Sequence, residues 1–516
     1  MGRVLTTLAL LLPWLNPFAS GPSPSVVPWL VTLVAVACLL LCASMRSFQD
    51  GIANRTELKQ LWAYLAAIAW LLAGILSTGL ALLQYFGNTG FFEPWINHAS
   101  LGEAFANLRQ RNQFAALTNM ALAALVWFAA CEKLAHRAFG CVPWVAISLG
   151  CILAVGNAAS QSRTGIAQLA LVCILCAFWG LWRHAVVRSI LMAAVITYAI
   201  AAFALPMLGG FELSTFGMAA RLREGDQLCT SRITLWSNVL QLIAQKPWLG
   251  WGWGELDYAH FITLYNGPRF CDILDNAHNL PLHLAVELGL PAALLICGGF
   301  AWWTVPQKPW AERDATRQMA WTVIAVILLH SMLEYPLWYG PFQMAFLICI
   351  GLLWSSTKSS DLKSSPKKVS NWPLVQFLPT YLAAILIALT AYIFWDYRRI
   401  SQIYLPPESR EAAYRTDTLN KIRSSWLFAD QVQFAELLIT PLTPDNAEWT
   451  FDTAGRLLHY SPESRVIQKL IESAVMLDKD DDALAYLARF RAAFPEEHKR
   501  WAKARLQAPS GAALMR

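Results

Sequence analysis

Long runs of apolar residues, separated by short polar stretches, occupy the first 400 residues of the chain. A transmembrane helix needs about 20 predominantly apolar residues, because an α-helix rises only about 1.5 Å per residue. The eleven candidate spans are residues 4–15, 26–44, 60–83, 114–131, 141–158, 166–182, 186–207, 279–303, 319–334, 338–354 and 375–395. The pattern predicts an all-α polytopic membrane protein.

The pattern changes after residue 400, where charged residues become frequent and the apolar runs become short. Apolar residues recur at helical spacing from Leu470 to Leu477 and again from Ala483 to Phe494, where Pro495 ends the run. Ser461 and Pro462 suit an N-cap and a first helical turn. We therefore predict two domains: a membrane body over 1–400 and a helical domain over 401–516 with paired helices similar to tetratricopeptide (TPR) units.

The composition supports the membrane assignment and excludes several classes. Hydrophobic residues make up 56% of the chain, charged residues only 14%, and the mean hydropathy is +0.40. Soluble domains carry about 25% charged residues, so an ordinary cytosolic enzyme, a disordered chain and a secreted disulfide scaffold are excluded. The net charge of +6 requires no nucleic-acid partner, because membrane proteins concentrate Lys and Arg in cytoplasmic loops.

The distribution of Lys and Arg between the spans predicts the orientation. With the N-terminus inside, the inside loops hold Arg46, Arg55, Lys59, Lys133, Arg137, Arg183, Arg188, Lys308, Arg313, Arg317, Lys358, Lys363, Lys367 and Lys368. The short outside loops hold Arg109, Arg111 and Arg163 and no Lys. By the positive-inside rule, the long loop 208–278 and the tail lie outside, in the periplasm of a bacterial inner membrane. We interpret the short segment 4–15 as an uncleaved anchor, with a cleaved signal peptide as the alternative.

Two of the eleven cysteines, Cys229 and Cys271, lie in the long outer loop. Because the periplasm permits oxidation, we predict a Cys229–Cys271 disulfide, with two free thiols as the alternative. Cys173 and Cys176 form a CxxC inside an apolar helix, where packing is a better interpretation than redox chemistry.

The same loop contains an amphipathic segment. Ile233, Trp236, Leu240 and Ile243 recur at helical spacing, which predicts a helix lying on the bilayer surface and ended by Pro247. The glycine- and tryptophan-rich stretch 250–254 that follows is expected to be a flexible turn with indoles at the interface.

Ionisable residues at the predicted outer ends of the spans are the candidates for chemistry, because such groups are costly near lipid. The main candidates are Arg163, Arg232, His278, Glu287, His330 and Glu334. Each has a structural alternative: anchoring to headgroups for Arg163, pairing with Glu224 or Asp226 for Arg232, capping for His278, and a buried packing pair for His330 and Glu334. A metal site of Asp272, Asp275 and His278 is disfavoured, since their spacing is loose and not on one helical face.

Several short motifs occur in one order and on one predicted side of the membrane. They are residues 107–115, the Ser162-Arg163-Thr164-Gly165 turn, Arg232 with Leu235-Trp236, residues 247–254, and His278-Asn279 through residues 287–290. In this order they resemble the O-antigen ligase superfamily of polytopic glycosyltransferases. Residues 13–18, 330–336 and 396–405 narrow the resemblance to PglL-type bacterial O-oligosaccharyltransferases.

The resemblance implies a GT-C-like body and a donor in which an oligosaccharide is linked to a lipid pyrophosphate of the undecaprenyl type. It implies transfer to Ser or Thr hydroxyls of periplasmic proteins such as pilin. His278 corresponds to the catalytic residue, and Arg163 and Arg232 correspond to the pyrophosphate contacts. Glu287, His330 and Glu334 are expected to orient these residues, and Arg109, Arg111 and Gln113 to support sugar-phosphate binding.

The chemistry expected from these residues is metal-independent and requires no cofactor. An imidazole suits proton removal near neutral pH, and guanidinium groups match phosphate oxygens. Direct attack of the hydroxyl at the sugar carbon would invert its configuration. The alternatives within the class are O-antigen ligation to lipid A-core and Wzy-type polymerisation. A transporter and a non-catalytic scaffold are more distant, because no internal repeat is visible and the candidates gather at one face.

Overall fold

A computed structural model describes residues 2–49, 55–131, 143–212, 217–218, 228–354 and 373–507. The described residues form helices joined by turns and contain no strand. The α-helices are α1 (Gly2–Leu15), α2 (Val26–Gln49), α3 (Arg55–Tyr85), α4 (Arg111–Ala130), α5 (Pro143–Ala159), α6 (Arg163–Phe178), α7 (Ala185–Leu208), α8 (Arg232–Gln245), α9 (Leu256–Ile262), α10 (Leu280–Leu288), α11 (Leu290–Thr304), α12 (Ala315–Ser331), α13 (Gly340–Trp354), α14 (Pro373–Ser401), α15 (Thr418–Ile422), α16 (Ala429–Ile439), α17 (Ala447–Leu457), α18 (Ser464–Met476), α19 (Asp480–Ala493) and α20 (Pro495–Gln507).

The chain divides into two compact units. One comprises Met1–Gly225 and Trp302–Tyr392, and the other comprises Asp226–Ala301 and Ile393–Arg516. The second unit therefore combines residues of the long loop with residues of the tail.

Five helices in the described part of the chain are long and apolar enough to cross a membrane. They are Val26–Ser44, Glu57–Tyr85, Arg111–Ala130, Ala185–Leu208 and Phe377–Tyr404. The shorter apolar helices include α1, α5, α6 and α13. A multi-pass membrane protein is thereby supported, whereas the number of eleven spans and the orientation stay predictions. Several cations on which the orientation depends, including Lys133, Arg137 and the four lysines at 358–368, lie outside the described residues.

Helix α4 is the most buried of these five helices and contacts α3, α5, α6 and α12 of the first unit. Small residues permit close approach of its neighbours, as is common between membrane helices. A Cβ atom added at Gly74 of α3 would lie 2.6 Å from Ala121 of α4. One added at Gly156 of α5 would lie 2.3 Å from the hydroxyl of Thr78.

The candidate span 279–303 is wrong as a single helix. It consists of α10 and α11, which are separated at Gly289, whose φ is +89°. The glycine-rich stretch is not a free turn either, because it is hydrogen-bonded to this break. The N–H groups of Trp251 and Gly252 donate to the carbonyls of Val286 and Glu287 at 2.9 and 3.0 Å, and Leu290 donates to Pro247 at 2.8 Å.

The second unit has a core shared by loop and tail. Phe261 of α9 is buried among Leu437, Leu457, Leu470 and Phe490 of the tail helices. The Arg489 side chain donates to the Ile262 carbonyl at 2.9 Å. In the same unit His459 pairs with Glu255 at 2.6 Å and stacks on Tyr258.

The tail begins where α14 ends, and its junction is held by Asp396. This fully buried carboxylate accepts from Arg399 at 2.6 Å and from the Ser425 hydroxyl at 2.7 Å. The predicted N-cap at Ser461 is wrong by two residues, since Glu463 is the N-cap and α18 begins at Ser464. The expected stop before Pro495 is confirmed, and the likeness to TPR units stays a prediction.

We expect Gly289→Ala to destabilise the protein. Its Cβ would lie 2.1 Å from the Trp248 carbonyl oxygen, at a φ that L-residues rarely adopt, and such strain costs about 1–3 kcal/mol or more. Thermal unfolding of the purified protein in detergent measures the effect.

Gly298→Ala is the matched control, because a Cβ there meets no atom within 4 Å in the described structure. An equal melting temperature for the two variants would contradict the close approach at Gly289.

Candidate active site

In the first unit, Arg163 lies at the first position of α6, after the Ser162 N-cap. The Ser162 hydroxyl accepts a hydrogen bond from the Gly165 N–H at 2.9 Å, as N-cap residues do. Ser162 and Thr164 are buried on either side, whereas Arg163 is exposed. The turn is therefore packed on both sides of Arg163, while the Arg163 side chain itself is exposed.

The base of this turn requires glycine at 165. The Gly165 carbonyl accepts from the side-chain amides of Asn119 and Asn157, both at 3.2 Å. A Cβ at this position would lie 2.4 Å from the Asn157 side-chain oxygen and 2.7 Å from Ala115. These contacts explain why the Ser-Arg-Thr-Gly sequence folds as it does.

Glu334 is buried and lies just beyond the end of α12. It accepts hydrogen bonds from Asn112 at 3.0 Å and from Gln110 at 3.3 Å. His330 is fully buried, with its ring edge-on to Phe342. Asn112 and Gln110 lie within the 107–115 motif but were not assigned a role from the sequence, since nothing local links them to residue 334.

The supporting residues at 109–113 contact the protein itself. Arg109, at φ +59°, donates to the Pro17 carbonyl at 2.6 Å. Arg111 forms an ion pair with Glu103, and Gln113 is buried. The contacts of these two arginines hold the segment 103–111 together and to the turn after α1, and a role in sugar-phosphate binding stays a prediction.

In the second unit, His278 is held in a left-handed turn immediately before α10. Its φ is +50°, and its N–H donates to the Asn276 side chain at 2.9 Å. Asn279 then caps α10 by accepting from the Leu282 N–H. Non-glycine residues in this conformation are uncommon and concentrate at functional sites. The imidazole is only half-buried, so a substrate can reach it.

Arg232 is brought towards the same segment by α8. The Trp236 indole N–H donates to the Ala277 carbonyl at 3.1 Å, directly before His278. Residues 232 and 236 lie one turn apart on one helical face. Arg232 is half-buried at the start of α8. It shares the helical face on which Trp236 bonds the segment next to His278.

The predicted disulfide is present and joins these two segments. Cys229 and Cys271 are bonded with their Cα atoms 5.3 Å apart, and the Cys271 N–H donates to the Cys229 carbonyl. Cys229 lies three residues before Arg232, and Cys271 lies seven residues before His278. The bridge therefore closes a loop of the chain that begins and ends near the candidate residues.

The segment 263–277 is further held by two residues that the sequence did not single out. Asn238 bonds the carbonyl of Pro268 and the N–H of Phe270, at 3.0 and 2.8 Å. The His260 ring bonds the Tyr265 hydroxyl and the Phe270 carbonyl. Burial lowers the pKa of His260 to about 3, so this ring stays neutral and structural near pH 7.

The apolar face predicted for α8 is partly wrong. Leu235, Val239, Leu242 and Ile243 pack into the core of the loop, while Ile233 and Leu240 are exposed. The helix carries apolar residues on two sides, and helical spacing alone did not show which side is buried. The exposed side remains compatible with the predicted bilayer surface.

Glu287 lies at the far end of α10 from His278. The seven helical steps from Leu280 to Glu287 rise about 10 Å, so the orienting role expected for this carboxylate would be indirect and stays a prediction. It lies 3.4 Å from His283, and both side chains are 2% exposed. Among the described residues, no three His, Cys, Asp or Glu side chains gather as a metal site; this includes Asp272, Asp275 and His278.

Family comparisons cover the same residues. A model described as "O-Antigen ligase" matches residues 147–297, which include Arg163, Arg232 and His278. A "Protein glycosylation ligase" model matches 104–129, and a "Virulence factor membrane-bound polymerase, C-terminal" model matches 318–509.

The chain is therefore similar to the O-antigen ligase superfamily and, within it, to PglL-type proteins. Two relatives come from Acinetobacter baylyi (strain ATCC 33305 / BD413 / ADP1). A "General O-oligosaccharyltransferase" is 26% identical over 332 residues, or 61% of this chain and 54% of the relative. A "ComP-specific O-oligosaccharyltransferase" is 24% identical over 267 residues, or 51% of this chain and 45% of the relative. The chain thus spans about half the length of these curated relatives.

We expect Cys229→Ser to lower the melting temperature of the protein. A crosslink between residues 42 apart stabilises by about 4 kcal/mol in the chain-entropy model, and its loss frees the start of α8 from the His278 segment. Thermal unfolding without reductant measures the stability.

Cys297→Ser is the control, since Cys297 is a free, half-buried thiol. A Cys229→Ser protein that melts with the wild type would show that the bridge contributes nothing.

Proposed function

We propose that this protein transfers an oligosaccharide en bloc from a lipid-pyrophosphate donor to Ser or Thr hydroxyls of periplasmic proteins such as a pilin. The observation that carries the proposal is the loop geometry of the second unit. A half-buried imidazole on a strained turn lies beside the helix that begins with Arg232. The names of the two Acinetobacter relatives support the reaction class.

In the proposed mechanism, His278 removes the proton from the acceptor hydroxyl. The hydroxyl oxygen forms a bond to the anomeric carbon of the donor sugar as the bond from that carbon to the pyrophosphate oxygen breaks. The configuration is inverted, and the lipid pyrophosphate leaves with the bonding electrons. General-base catalysis of this kind contributes about 10²–10⁴-fold.

Arg163 and Arg232 are proposed to receive the departing pyrophosphate. A guanidinium is always charged and places its donors in a fork that matches phosphate oxygens. Two such groups supply the positive charge that a metal ion supplies in other phosphate chemistry, so the reaction is proposed to proceed without one.

The location of the reaction is proposed to be the periplasmic face of the inner membrane. The disulfide in the loop supports an oxidising compartment, and the positive-inside pattern supports the same side. A site at the ends of membrane helices lets the donor lipid stay in the bilayer while its headgroup reacts.

The second candidate function is O-antigen ligation or polymerisation, favoured by the family models for residues 147–297 and 318–509. Mass spectrometry of periplasmic proteins from a deletion strain separates the candidates. Loss of glycopeptides supports the protein acceptor, whereas intact glycopeptides with missing long O-antigen supports the alternative.

We expect His278→Ala to reduce glycan transfer about 10²–10⁴-fold, because the acceptor hydroxyl loses its base. The measurement is transfer to a purified acceptor protein by enzyme reconstituted in nanodiscs with lipid-linked oligosaccharide.

Arg163→Lys and Arg232→Lys keep the positive charge but lose the forked arrangement of donors, and each should weaken transfer by roughly tenfold or more in the same assay.

His184→Ala is the control, since His184 is an exposed histidine in a predicted inside loop. Normal transfer by well-expressed His278→Ala would remove His278 from the mechanism. Loss of wild-type transfer in EDTA, restored by added metal, would refute metal independence.

A further inference from the structure

A chain of three hydrogen bonds leads from the first turn of α6 to Glu334. The Gly165 N–H donates to the Ser162 hydroxyl at 2.9 Å. The Ser162 hydroxyl donates to the side-chain oxygen of Asn112 at 2.6 Å. The Asn112 side-chain N–H donates to Glu334 at 3.0 Å. The chain joins three segments of the first unit that are far apart in sequence.

The direction of this chain is fixed by its two ends. A backbone N–H only donates, so the Ser162 oxygen accepts there and its one proton is available for Asn112. An ionised carboxylate only accepts, so Asn112 must turn its N–H towards Glu334 and its oxygen towards Ser162. The opposite orientation of the amide would bring two acceptors together at Glu334.

Burial makes each link depend on the others. Ser162 is 1% exposed and Glu334 is 5% exposed. A buried polar group that loses its partner pays its full desolvation cost. Breaking the chain at Asn112 therefore removes one donor from Glu334 and removes the acceptor of the Ser162 hydroxyl, the N-cap of the Arg163 turn.

We propose that Asn112 is a positioning residue for Arg163, acting through Ser162, with Glu334 as the acceptor that sets the direction of the chain. This rests on the proposed function in which Arg163 receives the pyrophosphate. Ser162 is adjacent to Arg163, so the bond to Asn112 determines where the guanidinium projects. Its chemical consequence is tighter binding of the donor's diphosphate.

The test exchanges the amide and the carboxylate. Asn112→Asp alone places two carboxylates at hydrogen-bond distance and breaks the link. The double variant Asn112→Asp with Glu334→Gln restores every bond, because the new carboxylate accepts from Ser162 and from the new amide, whose oxygen accepts from Gln110. We expect Asn112→Asp to raise the KM for the lipid-linked donor roughly tenfold and the double variant to return within about twofold of wild type.

A second measurement is independent of transfer. Inorganic pyrophosphate, added to the purified protein in nanodiscs, should raise the melting temperature by binding the folded state. The shift should shrink in Asn112→Asp and in the milder Ser162→Ala, return in the double variant, and shrink at least as much in Arg163→Ala, where Arg232 remains. Adding Asn112→Asp to Arg163→Ala should change neither the donor KM nor the pyrophosphate shift further.

Gln318→Leu is the matched control, because Gln318 is a buried amide of α12 that bonds the Glu312 carbonyl, at the end of that helix away from Glu334. It should lower the melting temperature while leaving the pyrophosphate shift unchanged. If Asn112→Asp behaves like this control, or if it still impairs the Arg163→Ala protein, the role is structural and the proposal is overturned.

The proposal and the proposed function fail in different ways. Wild-type protein that transfers no glycan to proteins but shows the expected pyrophosphate pattern would refute the function and support the positioning role. Active transfer with an unchanged donor KM in both Asn112→Asp and Ser162→Ala would refute the positioning role alone. If Asn112→Asp does not fold, Ser162→Ala and the double variant decide the question.

Discussion

The backbone hydrogen bonds between the turn 247–252 and the break after α10 are the constraint on which the position of the segment around His278 depends. A helix end near lipid needs partners for its free carbonyls, since hydrocarbon offers none. Here Trp251 and Gly252 supply them for Val286 and Glu287. Because the two backbones approach too closely for a side chain at Gly289 or Gly250, α10 ends at a fixed place. Its other end, and with it His278, is fixed in consequence.

The Arg163 turn of the first unit is likewise held by hydrogen bonds from its neighbours. One glycine carbonyl receives two buried asparagine amides, and the N-cap serine is held by a third. The cation thus projects from a base that these three asparagine side chains hold by hydrogen bonds. In both units the candidate residue itself is accessible, and rigidity comes from its buried neighbours. Sites of this kind bind a transition state with little reorganisation.

Much of the fold was predictable because apolar length and charge act locally. Ten of the eleven apolar segments coincide with one helix each in the described residues, and the Cys229–Cys271 pair followed from being the two cysteines of the long outer loop. The division of segment 279–303 was not predictable, since it depends on backbone contacts with residues 40 positions earlier. The partners of Glu334 were missed for the same reason, whereas His283, the partner of Glu287, lies one turn away on the same helix. Helical spacing shows which residues share a face, but not which distant amide meets them.

The insertion of Phe261 into the tail's core has a consequence for exchanging parts between relatives. The loop helix and the tail helices are halves of one hydrophobic interior, so a tail transplanted alone would meet a foreign Phe261 and a foreign partner for Arg489. Chimeric enzymes intended to move acceptor preference from one family member to another must therefore carry residues 226–301 and 393–516 together. Evolution faces the same restriction, and the two segments are expected to diverge in step.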